Sequence, residues 1–336
     1  MRTFVFVNHA NEIGVRQTTA LLIAALVRQE HEVVIASVEG LSVTCISSDF
    51  ADRFAATVTG TIVPPQCSSS QQVADFVKEA TKSTTHTISS GDLVLVRSNP
   101  GRDTDRRAIH ASFLHLLSIL QTRIQDVRVV NDPRHLAFFA NKASLATIDC
   151  RYRPPMLVSN QVAAITNFVA AAPSDCVVKP LIGSRGENVI RVNSNNAKLT
   201  TTIEAACHGG WMVAQHFIAA DHPGDRRVVV LDGKILEANG HIAGIERRPA
   251  ENDFRGNLHA GGTAHPFTLT PTERAAAEHA AVLLRACGIR LAGVDLIGDQ
   301  IIELNVFSTG GLYDANRFAN IDFTEMIVQR LVDSTI

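Results

Sequence analysis

The sequence predicts an α/β protein of two or three domains whose first domain is built on a parallel sheet. Three observations predict it. Residues 3–7, 18–29 and 33–36 read in turn as apolar strand, helix and strand, and a β-α-β start implies a parallel pair. At 336 residues the chain is too long for one simple core. Near its end, two apolar runs meet at Gly298-Asp299, the sign of a hairpin.

Each element follows from local pattern. Leu21, Leu22, Ala25 and Leu26 share one side of the first helix. Residues 41–70 contain Pro64-Pro65 and a run of serines after Cys67, with poor periodicity, so a loop-rich stretch is expected. Residues 92–97 read as a strand, 109–124 as a helix and 127–130 as a short strand ending at Asn131-Asp132-Pro133, where the first domain closes. Asn141-Lys142 begins or lies within a helix, and Pro154-Pro155 introduces a strand at 156–158. A helix near 160–171 leads to strand 176–180 and the loop Gly183 to Gly186, and 211–218 is strand-like. A third unit begins at about 219, with strand 226–231, the turn Asp232-Gly233 and strand 234–237. Its helix has clear ends: Thr270 as N-cap, Pro271 as the first helical residue, Glu273 completing a capping box, and Gly288 as terminator.

Bulk properties exclude several classes. The net charge is −2 with both signs mixed along the chain, which calls for neither nucleic acid nor an anionic membrane. Six cysteines without a Cys-x-x-Cys pair point to reduced thiols. The apolar start is too short for a signal peptide and no later run could span a bilayer, so a soluble cytoplasmic protein is expected.

The last hairpin carries the strongest chemistry. Asp295, Glu303 and Asn305 are oxygen donors in an otherwise apolar segment, and buried carboxylates need a partner. A three-residue loop, 298–300, places Asp295 opposite Glu303, with Asn305 on the same face. A two-residue loop puts Asp295 on the other face; the longer loop is adopted because it gathers the polar groups. Mg²⁺ suits such a set, since it takes oxygen ligands beside phosphate and water. The competing reading is a surface hairpin with solvated acids.

Other motifs are weaker alone. Lys179 ends a strand just before Gly183 and Gly186, and glycines let amides converge on phosphate. No Walker A sequence follows, so a turn with a surface lysine competes. The polar loop 255–262, with Arg255, Asn257 and His259, has the composition of a lid, although a solvated histidine is the plainer reading of His259. Arg226 and Arg227 are ordinary if exposed and bidentate in a phosphate site. Arg97, Asn8 and His9 end strands where open α/β sheets bind ligands, which makes Arg97 a candidate for a substrate carboxylate. Nucleophile elbows, Cys/His dyads and metal-type histidine spacing are absent, so covalent catalysis is unsupported.

Taken in order, these motifs resemble the ATP-grasp superfamily and, within it, bacterial glutathione synthetases. The resemblance runs from about 92 to 308: Val96-Arg97-Ser98-Asn99-Pro100, Asn131-Asp132-Pro133, Asn141-Lys142, Val178-Lys179-Pro180-Leu181, Ala214-Gln215, Gly224-Asp225-Arg226-Arg227-Val228, Arg247-Arg248-Pro249, the 255–262 loop and the hairpin. It implies a three-domain ATP-grasp fold: an N-terminal parallel-sheet, substrate-binding domain over 1–133, a central lid domain over 134–218 and a C-terminal domain with the metal site over 219–336. By resemblance, Lys142, Lys179 and Arg227 contact phosphates, and Gly183, Ser184, Arg185 and Gly186 cover the triphosphate. Gln215, His216, Phe217 and Ile218 line the adenine pocket through backbone groups. Asp295, Glu303 and Asn305 hold two Mg²⁺ ions, with Mn²⁺ as a substitute. Arg255 and Asn257 sit near an acyl phosphate, Arg247 faces the substrate, and Ser308, Thr309 and Gly310 shape the acceptor site.

The implied activity is an ATP-dependent, ADP-forming ligation of a small-molecule acyl donor to an amine through an acyl phosphate, in a homo-oligomer that needs neither membrane nor nucleic acid. Two departures bear on the substrate. Ser184-Arg185 replaces a Met-Gly type pair, and residues 307–313 replace a Ser-Pro-Thr run. Three readings therefore stand: glutathione synthesis, a paralogue joining a different acid or amine in specialised peptide metabolism, and a non-catalytic ATP-binding interaction module. Retention of the carboxylate and arginine set argues against the last.

Overall fold

The computed structural model describes residues 1–48, 51–183, 186–219, 224–251, 253, 256, 258 and 261–333. Among them the strands form three main sheets of seven, four and six strands and a small two-stranded ribbon. In the first sheet Arg2–Val7 lies between Glu32–Ser37 and Leu93–Val96, and Arg128–Val130 follows at the edge, all parallel. These strands are buried on both faces, which is why they read as unbroken apolar runs. Thr18–Arg28 and Arg107–Arg123 are the helices expected between them.

Residues 41–62 are not a loop. Leu41–Ser48 and Ala51–Ile62 form a long antiparallel hairpin at the far side of this sheet. The buried positions do alternate, at Ala56, Val58 and Gly60. Two of these three are too small to register as hydrophobic periodicity, and the diprolines fall just beyond the strand.

The middle sheet, Met156–Ser159, Cys176–Pro180, Ile190–Val192 and Met212–His216, has a core of its own with helices Val162–Ala171 and Leu199–Cys207. The first and last sheets instead share two apolar cores. One joins Phe4, Phe6 and Phe113 to Val228, Leu284 and Val294. The other joins Val5, Leu26 and Leu95 to Val229, Leu291 and Phe323.

Asn131 secures that union. Its Nδ2 donates to Leu291 O (2.8 Å) and Val306 O (2.6 Å), and its Oδ1 accepts from Arg290 N (2.8 Å) and Leu291 N (3.0 Å). All four bonding sites of one buried amide are satisfied across segments distant in the chain. Helix Pro271–Ala286 starts as its caps dictate, with Thr270 and Glu273 in a reciprocal box. Glu273 also pairs with Arg226 of the last sheet, so the cap fixes the helix to its support. The six cysteines are free thiols, and no described helix is long and apolar enough to cross a membrane.

Candidate active site

The hairpin joins Asp295 to Glu303 by neither a three-residue loop nor a plain two-residue one. Its loop has two residues, Ile297 pairing with Gln300, but a bulge lies between Asp295 and Leu296, where Leu296 pairs with Ile301 and Asp295 with Glu303. The extra residue, Ile302, restores the register that gathers the acids. Its carbonyl also accepts from Lys179 Nζ at 3.1 Å.

Two ionic groups stand on this face. In the first, Asp295 is fully buried. It accepts from Arg227 Nε (2.7 Å) and Nη2 (2.6 Å), Arg247 Nη2 (2.7 Å) and Asn305 Nδ2 (3.2 Å). Arg247 also forks onto Asp225 at 2.7 and 2.6 Å. Burial alone would raise the Asp295 carboxyl; the two arginines outweigh it and hold it well below the usual range. Among the described residues Asp225 is ion-paired with Arg247 alone, and burial pushes it up. In the second group, Lys142 Nζ lies 3.2 Å from Glu303 Oε1 and donates to Gly183 O at 2.7 Å. Burial opposes ionisation of Glu303, but Lys142 and Lys179 keep its carboxyl lowered.

Both groups open on one cleft of about 850 Å³. Lys142, Lys179, Gly183, Gly186, Gln215, His216, Phe217, Ile218, Arg227, Arg247, Glu303, Asn305, Ser308 and Gly310 line it. Asp295 sits behind Arg227 and Arg247. Gln215 is 4% exposed and its Oε1 has no partner among the described residues, so the cleft wall holds a buried acceptor. The N–H groups of His216 and Phe217 are already given to Pro155 O and Asp175 O. The backbone contacts expected of 216–218 are therefore restricted to carbonyls and to Ile218.

Two substrate candidates lie behind the wall instead of in it. Arg97 is 7% exposed and donates to Phe307 O (3.2 Å), Thr309 O (3.3 Å) and Thr19 Oγ1 (3.4 Å). Thr309 is 1% exposed and packs so closely on Gly293 that a Cβ there would meet its Oγ1 at 2.2 Å. Arg97 thus braces the 307–309 segment. Ser184, Arg185, Arg255, Asn257 and His259 lie outside the described residues. Their neighbour Gly256 lines the cleft against the Arg247–Asp225 pair, where a Cβ would meet Arg247 O at 2.6 Å. Sequence reasoning missed Arg16, Asp314 and Arg317, which also line the cleft.

The donor set fits a hard cation. Glu303 and Asn305 present oxygens on one face, and Asp295 is shared with arginines. Among the described residues no three His, Cys, Asp or Glu side chains form a metal cluster, so a bound ion would need ligand oxygens as well.

The description "Prokaryotic glutathione synthetase, N-terminal domain" matches residues 1–137, and "Prokaryotic glutathione synthetase, ATP-grasp domain" matches 142–320. A glutathione synthetase of Parasynechococcus marenigrum (strain WH8102) is 31% identical over 242 residues, 71% of this chain and 74% of that protein. Among solved structures, D-cycloserine synthetase DcsG has a TM-score of 0.62 at 17% identity, over 98% of this chain and 99% of that one. The ATP-grasp ligase PsnB, complexed with a minimal precursor, has a TM-score of 0.61 at 18% identity, over 98% of both. These two share the fold. With both halves matched, the chain belongs to the prokaryotic glutathione synthetase family and is an ATP-dependent, ADP-forming ligase that makes amide bonds on an ATP-grasp fold.

Proposed function

We propose that the cleft phosphorylates the carboxylate of an acyl donor with ATP and then joins the acyl group to an amine. The observation that carries this reading is the convergence of Lys142, Lys179, Arg227 and Arg247 with Glu303 and Asn305 on one cleft. The first two cations and the glycine loop receive the phosphates, and the unpartnered Gln215 Oε1 accepts from the adenine amine. Arg227 and Arg247, fixed by Asp295 and Asp225, sit where charge builds on the transferring phosphoryl group. The sequence resemblance supports a role for Arg255 and Asn257 at the acyl phosphate. Attack by the amine on the acyl carbon expels phosphate. Asp295, Glu303 and Asn305 are the residues that would hold Mg²⁺, two ions in this reading, which supplies charge neutralisation at phosphate oxygens. The three units 1–133, 134–218 and 219–336 then act as substrate domain, lid and metal-bearing domain.

γ-Glutamylcysteine and glycine are the first pair to test, since curated relatives carry the name glutathione synthetase. ADP release that requires both is the expected result for glutathione synthesis. Release that ignores glycine but responds to another amine assigns the chain to a paralogous ligation, a reading favoured by residues 307–313. ATP binding without ADP release across a broad panel of acids and amines would sink the catalytic proposal.

A pH dependence follows. Burial pulls the Lys179 ammonium down to about 8, against the opposing effect of Glu303. Bound phosphates favour its charged form, so binding takes up a proton above that pH. ATP affinity is expected to fall by up to about tenfold per pH unit above pH 8 and to level off below pH 7. Titration calorimetry in buffers of different ionisation heat reads this uptake. A profile unchanged in Lys179→Met would remove Lys179 from the phosphate site.

A further inference from the structure

The cleft is also lined by side chains that no motif singled out. The turn after the first strand, closed by Gln17 N donating to Gly14 O at 3.0 Å, brings Gly14, Arg16 and Gln17 to the wall. Helix Leu312–Ala319 brings Asp314 and Arg317. Arg16 Nη2 donates to both Asp314 oxygens, at 2.7 and 2.9 Å, and Arg317 Nη2 reaches Oδ1 at 3.4 Å. Arg16 also lies over the Tyr313 ring, 5.3 Å from its centre.

Two guanidinium groups share one carboxylate, so one positive charge is left over. The Asp314 side chain is only 5% exposed, whereas those of Arg16 and Arg317 are 66% and 63% exposed. Each arginine touches Asp314 through Nη2 alone, and its Nε and Nη1 donate to no group among the described residues. Asp314 therefore aims two guanidinium groups without exhausting them. An arginine fork is the natural receptor for a carboxylate. Helix Leu312–Ala319 follows Gly310 and Gly311, where added Cβ atoms would lie within 3.8–4.0 Å of Arg227. The arginine pair thus shares the cleft with Arg227, to which the Gly310-Gly311 turn connects its helix.

We propose that Arg16 and Arg317 bind a substrate carboxylate remote from the bond being formed. This rests on the ligase reading above and adds two specificity-determining residues to it. The carboxylate has two chemical sources, the acyl donor or the amine.

The test is calorimetric binding to the intact protein, without turnover. The probes are γ-glutamylcysteine and glycine, each as the free acid and with one carboxyl amidated (the glutamyl α-carboxyl in the first). Wild type is expected to bind one free acid about tenfold or more tightly than its amide. Arg16→Gln and Arg317→Gln are expected to erase most of that preference and to keep their ATP affinity. A preference within the γ-glutamylcysteine pair identifies the donor as the source; within the glycine pair, the amine. The inference is overturned if wild type shows no preference, if neither free acid binds, if the variants keep it, or if they lose ATP affinity in parallel. Failure of wild type to bind ATP would instead sink the ligase reading, because the acid titrations are read without nucleotide.

Discussion

Replacing Asp295 with alanine is expected to remove on the order of 3–5 kcal/mol of stability along with all activity, because it strands buried charge. Among the described residues Asp295 alone pairs with Arg227, it also pairs with Arg247, and both arginines are largely buried. Without it, two guanidinium groups face the single carboxylate of Asp225. Urea denaturation reads the loss, and a shift below about 0.5 kcal/mol would show the pair to be solvated. A double replacement, Asp295→Leu with Arg227→Met, is expected to recover more than half of the stability and none of the activity. Recovery of that kind separates the cost of an orphaned cation from the loss of a reacting group.

Glu303→Gln is the complementary case. The Glu303 side chain is 33% exposed and meets Lys142 at 3.2 Å, so an isosteric amide leaves the packing alone. Turnover is expected to fall by about 10²–10³, the size of effect seen when one preorganised charge is removed from an active site. The denaturation midpoint should stay near that of wild type. The Mg²⁺ concentration for half-maximal turnover should rise as well. If turnover fell with no change in Mg²⁺ demand, Glu303 would serve to place Lys142 and not to hold metal.

Local chemistry was legible wherever its cause was local. The reciprocal bonds of Thr270 and Glu273 are written in four adjacent residues, and the parallel strands announce themselves because both faces are buried. Asp295 opposite Glu303 was legible too, although the reason differed: a bulge at Ile302 achieves what a longer loop was expected to do. The hairpin through residue 62 stayed hidden because Ala56 and Gly60 carry its alternation with almost no apolar surface. Arg97 illustrates a different limit. A strand-end rule places it near a ligand, but two carbonyls of the 307–309 segment engage its guanidinium. Arg16 and Asp314 are 298 positions apart, and no pattern in either segment foretells their meeting.

The shared cores have a mechanical consequence. The beginning and end of the chain are packed into one body and riveted by Asn131. The four-stranded middle sheet keeps its own core. Topologically it is an insertion, looped out of a body whose two halves the chain leaves and rejoins. Its links to that body include polar ones: Lys179 to Ile302 O and Arg107 to Ile182 O. Such links exchange readily for water, whereas parting the shared cores would expose apolar surface. The two parts are therefore unequally joined: the ends of the chain share an apolar anvil, and the middle sheet meets it in part through bonds that water can replace.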